Sequence, residues 1–107
     1  PRSPASIKRI PTTNDLLVAY NNHMAIPDSL RNKRTPFSLA LSTDEGKNWH
    51  HHRNLEIDPS GWYCYTAMCF FEDHVVLGYC AGNQDKGAGL ATTHVMIVPI
   101  AMLYDTI

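Results

Sequence analysis

Four residues of the short segment LSTDEGKNW have types and spacing suited to a specific local chemistry: Ser42, Asp44, Gly46 and Trp49. An aspartate there accepts hydrogen bonds from turn amides, and a glycine takes positive φ. The tryptophan can fold back between sheets as an apolar plug. That is the chemistry of a turn, not of a catalyst. His50, His51 and His52 follow at once and invite a metal reading. Adjacent strand residues face opposite sides, so only His50 and His52 share one, and no third ligand stands at a useful spacing. An exposed outer-strand run is expected, with no metal. The segment AGNQDKGAG lacks the G-x-x-x-x-G-K-(S/T) order and a following helix, so it reads as a loop with Asp85 and Lys86 solvated rather than as a phosphate cradle.

Cys64, Cys69 and Cys80 cannot all pair internally, and none forms a C-x-x-C. Cys64 and Cys69 are separated by an odd number, which puts them on opposite faces of a continuous strand. Buried free thiols are expected, and cysteine usage leaves the compartment open. Arg34, beside Arg31, Asn32 and Lys33, reads on its own as a solvated loop cation. Tyr65, in a strand with Trp62 and Tyr63, reads on its own as a core aromatic.

The elements that must position these residues are strands. ASIKRI alternates, PTTND supplies a turn, and LLVAY is a second strand. NNHMAIPDSLRNKRTP is a loop of the length that carries function. FSLALS alternates again, and after the turn WHHHRNLEI leaves as a fourth extended piece. WYCYTAMCFF, VVLGYC and LATTHVMIVPI repeat the plan, with EDH as a turn and MLYDTI as a further strand or a tail. Leu16–Tyr20 laid over Val75–Tyr79 matches the two halves at a period of about sixty residues, the pattern of an internal repeat. The expected fold class is all-β, with antiparallel four-stranded blades. Residues 1–60 form one blade and 61–107 a second, less complete one, of a β-propeller, whose usual count is about four to eight blades. A small β-sandwich is the alternative architecture. Two blades leave flanks to be covered by further blades or by other copies of the chain.

The chain has 107 residues, 44% hydrophobic and 18% charged, with a formal net charge of −1. No broad basic surface is available for nucleic acid, and no apolar run reaches the length of a membrane span.

The spacing Ser42-x-Asp44-x-Gly46-x-x-Trp49 resembles the Asp box, or BNR repeat, S-x-D-x-G-x-(T/S)-W, with Asn48 where a hydroxyl residue is commoner. With SPASIKRIPTTNDLLVAYNNH before it and YCYTAM and VVLGYCAG after it, nearly the whole chain resembles the C-terminal blades of the sialidase (neuraminidase) superfamily. There an arginine precedes the last Asp box and a Y-(S/T)-x-(M/L/I) strand follows. Arg34 and Tyr65-Thr66-Ala67-Met68 stand at those places. The resemblance implies a six-bladed propeller and a retaining exo-glycosidase acting on terminal sialic acid. Arg34 would be the third member of the triad gripping the substrate carboxylate, Tyr65 the nucleophile, and the partner a sialoside glycan. It implies no metal or organic cofactor, and it suits a secreted or periplasmic setting.

The chemistry gives its own reason for these types. Sialic acid carries its carboxylate on the anomeric carbon, so a carboxylate nucleophile would meet a like charge there. A neutral tyrosine avoids that repulsion but needs a base, its unperturbed pKa being about 10. Arginine presents a planar fork to a carboxylate. No motif matches the family's two other arginines, its activating glutamate or its acid/base aspartate. Glu45 lies inside the Asp box and Glu56 follows the outer strand. The chain by itself is therefore expected to lack turnover. Asn21, Asn22 and His23 are candidate pocket residues, with Asn22 a sugar contact. Two other functions fit the same build: a propeller glycosidase acting on another glycan, and a non-catalytic carbohydrate-binding propeller.

Overall fold

The computed structural model describes residues 5–23, 33–83 and 92–105. Seven strands form two antiparallel sheets. β1 (Ser6–Arg9), β2 (Leu16–Tyr20), β3 (Phe37–Ser42) and β4 (His50–Glu56) make a four-stranded meander. β5 (Gly61–Phe71), β6 (His74–Asn83) and β7 (Thr93–Pro99) make a three-stranded one. Among the described residues, a single helical turn, α1 (Ile100–Leu103), is the one element that is not a strand.

Alternation explains which faces meet. In the first sheet Leu17 lies opposite Leu41 and Ala19 opposite Leu39, and all four are buried. In the second, Met68 lies opposite Leu77 and Val75 opposite Val98, again buried. These inner faces join one core, to which Phe37, Tyr63 and Tyr79 add an aromatic cluster. The Phe37 and Tyr79 ring centroids are 4.2 Å apart, a direct contact between the sheets.

The outer face of the second sheet is different. Ala67, Gly78 and Val95 form one cross-strand row, and Cys69, Val76 and Ile97 form the next. Val95 is 68% and Ile97 63% exposed, and no atom lies near the place a side chain at Gly78 would fill. The result is a shallow apolar notch over Gly78.

Three local expectations are corrected. The strand β6 runs on to Asn83, so Ala81, Gly82 and Asn83 belong to the ladder rather than to a loop. Their partners Tyr63, Trp62 and Gly61 on β5 supply the pairing that overrides glycine's turn preference. Asp85 and Lys86 lie outside the described residues. The start of MLYDTI is neither strand nor tail: Met102 and Leu103 complete α1, which buries Ile100 and Leu103 against the core, while Thr106 and Ile107 lie outside the described residues. Trp49 is half-buried and lies outside the buried core, so it is not a plug between sheets.

α1 is held down at several points. Arg53 donates to the Met102 carbonyl at 2.7 Å. The Tyr104 hydroxyl donates to Asp15 Oδ2 at 2.6 Å and lies 2.8 Å from Thr13 Oγ1. These bonds fasten the last described element to β4 and to the β1–β2 turn.

Candidate functional site

Ser42, Asp44, Gly46 and Asn48 form a closed turn between β3 and β4. Ser42, 1% exposed, accepts the Gly46 amide at 2.8 Å and donates to Asp44 Oδ1 at 2.8 Å. Asp44 also accepts the Asn48 amide at 2.8 Å and the Asn48 side chain at 2.7 Å. These donors, the Asn48 amide first, hold the Asp44 carboxyl down at about 2. Gly46 sits at φ 86°, the left-handed region that glycine tolerates. Asn48 thus does from its side chain what a hydroxyl residue would do there. A Trp49 ring carbon and a Leu16 methyl lie nearest the place a side chain at Gly46 would fill. With its polar groups turned on one another, this turn has little left for a ligand.

Arg34 lies in a segment fastened on both sides. Its carbonyl accepts the Tyr63 amide at 2.7 Å, and the next residue, Thr35, donates to the Asp58 carbonyl at 2.8 Å. The Thr35–Pro36 peptide is cis. Asn21, 2% exposed, donates to the Pro36 carbonyl at 2.9 Å and the Tyr63 carbonyl at 3.2 Å. Asn21 is therefore an anchor of the loop rather than a sugar contact. Asn22 and His23, half-buried, follow it just beyond β2.

The guanidinium of Arg34 lies 5.4 Å from the Trp62 ring and 5.2 Å from the Tyr65 ring. The neighbouring side chains of Tyr65, first, and Cys64 favour its charge, outweighing the opposing effect of burial. Trp62 and Tyr65 are three positions apart, so an unbroken strand would turn them to opposite faces. A bulge between Cys64 and Ala67 removes that constraint, and Tyr65 sits in it at φ 54°. Ser6 on β1 pins the bulge by donating to the Thr66 carbonyl at 2.6 Å. Tyr65 is left 55% exposed.

Tyr63, the neighbouring tyrosine, is 5% exposed and packs with Phe37 and Tyr79. Burial, then the charges of Glu56 and Asp58, push its hydroxyl up to about 12. It is a core residue. Positive φ at a non-glycine residue costs about 1 kcal/mol or more, so the bulge at Tyr65 is strained backbone at an exposed polar ring.

A third polar cluster joins the sheets at the end of β4. Glu56 Oε2 accepts the Tyr79 hydroxyl at 2.7 Å and lies 2.9 Å from His94 Nδ1. Burial, followed by this carboxylate, raises the Tyr79 hydroxyl further than that of Tyr63. The three histidines of β4 are exposed: His52 Nδ1 meets the Tyr20 hydroxyl at 2.5 Å and His51 rests near the Tyr104 ring. Among the described residues no group of three His, Cys, Asp or Glu side chains is placed to hold a metal, and no helix is long and apolar enough to cross a membrane.

Trp62, Cys64 and Ser6 are the site neighbours that sequence reasoning did not place at the site, whereas Asn21 was placed there in another role. Only Trp62 carried a signal, an aromatic close to Tyr65 in sequence, and the bulge that makes it count has no residue signature here. No family model, curated protein or solved structure matches the chain.

Proposed function

We propose that Arg34 and Tyr65 form the substrate end of a sialidase-like exo-glycosidase whose further blades and catalytic groups lie outside these 107 residues. The observation that carries this reading is their adjacency: a fastened arginine against an exposed tyrosine held on a strained bulge. Stacking uses the faces of a guanidinium and leaves N–H donors in its plane for a carboxylate fork. Tyr65 attacks the anomeric carbon of a terminal sialic acid and the glycosidic bond breaks. A base elsewhere takes the phenol proton, an acid protonates the leaving oxygen, and water then releases the sugar with retention.

The second reading is a propeller that binds an acidic sugar without cleaving it. Trp62 favours it, because an aromatic face beside an arginine grips a charged sugar with no acid or base at hand.

The test begins with the chain itself, titrated with N-acetylneuraminic acid while the Arg34 side-chain N–H signals are followed by NMR. Arg34→Lys, which keeps the charge and loses the fork, should weaken binding about tenfold, or 1.4 kcal/mol. An unchanged affinity removes Arg34 from the site and both readings with it. Turnover of a fluorogenic sialoside by a polypeptide carrying the remaining blades then separates them. Loss of turnover in Tyr65→Phe with binding retained supports the nucleophile. Binding with no turnover in the parent favours the binder.

A further inference from the structure

Cys64 and Cys80 are direct partners across the β5–β6 ladder. Directly opposed residues of an antiparallel pair have Cα atoms about 4.5–5.5 Å apart, inside the window of about 4.4–6.8 Å that a disulfide spans. The two side chains point to the same outer face, one row beyond Ala67 and Gly78. Both are reduced. Cys64 is 3% exposed beneath the Arg34 segment, whereas Cys80 is half-buried. Cys69 lies on the same strand as Cys64 but opposite Val76, past the bulge, and is exposed.

We propose that Cys64 and Cys80 form an oxidisable dithiol under Arg34, closed to a disulfide by exchange with a small-molecule disulfide of the glutathione class. The steps balance without another reactant. The Cys80 thiol, the more accessible, loses its proton and attacks one sulfur of glutathione disulfide. That S–S bond breaks, one glutathione leaves as a thiol, and a mixed disulfide remains on Cys80. Cys64 then gives up its proton and attacks Cys80 Sγ, expelling the second glutathione. Two protein thiols are oxidised and one glutathione disulfide is reduced to two glutathione thiols.

The surroundings assign each cysteine its part. Burial raises the Cys64 thiol and keeps it unreactive toward bulk reagents, while the Arg34 guanidinium works in the opposite direction by favouring the thiolate. Cys64 is thus a resolving thiol, whose attack becomes intramolecular once Cys80 is loaded. Closure also takes the Cys64 thiol away as a partner of Arg34, so the oxidation state of this pair reaches the candidate site whatever ligand the site takes. Cys69 has no opposed cysteine and serves as an internal control.

The experiment treats the reduced full chain with excess oxidised glutathione, alkylates the remaining thiols and maps the products by mass spectrometry after chymotryptic cleavage, which at Tyr65 separates Cys64 from Cys69. The expected product is a Cys64–Cys80 linked peptide, with the bridge accounting for the loss of two hydrogens, and Cys69 either free or glutathionylated. In Cys64→Ser, glutathione should persist on Cys80. The native chain's own map decides the case if that variant does not fold. A stable glutathione adduct on Cys80 of the native chain, a bridge that includes Cys69, or alkylation of all three cysteines overturns the proposal. The link to the site is read from the Arg34 Nε–H signal, which should shift on oxidation. An unmoved signal overturns that link.

Discussion

The Ser42–Asn48 turn and the Arg34–Tyr65 corner lie on the two sheets and treat their polar groups in opposite ways. At the turn, the Ser42 hydroxyl and the Asp44 carboxylate are spent on the turn's own amides and on the side chain of Asn48. At the corner, the backbone is what is fastened, through Asn21, Thr35, Ser6 and the Arg34 carbonyl, while the functional ends of Arg34 and Tyr65 rest on each other near solvent. A group whose bonds are all internal stabilises a fold. A group whose position is fixed by other residues stays available for something else.

Changes that strike one end or both sharpen this contrast. Phe37, 1% exposed between the sheets, supports both ends, so Phe37→Ala should destabilise by about 3–5 kcal/mol in urea unfolding. A small loss would mean that the sheets do not depend on one core. Ser42→Ala strikes only the turn. It leaves the Gly46 amide without its acceptor and should destabilise by about 1–3 kcal/mol in urea unfolding, with the Arg34–Tyr65 corner undisturbed in NMR spectra.

The pH dependence of Asp44 is smaller and has a definite sign. Its folded pKa of about 2 is below its ordinary 3.8, so its contribution is complete above 3.8 and is lost as pH falls through about 2. The stability difference between the native chain and Asp44→Asn should shrink over that window in acid unfolding curves. A constant difference would mean that the carboxylate's charge plays no part. The least change is expected from Tyr65→Phe, within about 0.5 kcal/mol of the parent. A loss well beyond that would make Tyr65 a fold residue and erase the contrast.

Much of the scaffold was legible because short, largely apolar runs bounded by turn residues mark strands, and β2 and β3 are buried on both faces along nearly their whole length. LLVAY and FSLALS coincide with β2 and β3 residue for residue. The end of β6 was not legible, because Gly82 is kept in the ladder by Trp62, a partner twenty positions away that no local window includes. α1 is too short to show a helical period. At the site, the residue types of Arg34 and Tyr65 were legible, but their meeting depends on a bulge that alternation hides. The Cys64–Cys80 pairing escaped notice for a similar reason: it follows from the register of two strands, not from spacing along one.

The bonds from Tyr104 to Thr13 and Asp15 join residues 91 and 89 positions apart in the chain. On a ribosome, the β1–β2 hairpin emerges long before its clasp exists. The first meander can pair strand by strand as it leaves the exit tunnel, since its contacts are between neighbours in sequence. The bond from Tyr104 must wait until a residue 91 positions after Thr13 has been made, and the rest of the inter-sheet contact until β5 and β6 have followed. Throughout that interval the first meander's inner face, Leu17 and Leu41 included, is open to the cell, and a chaperone that recognises apolar strands would find its target there.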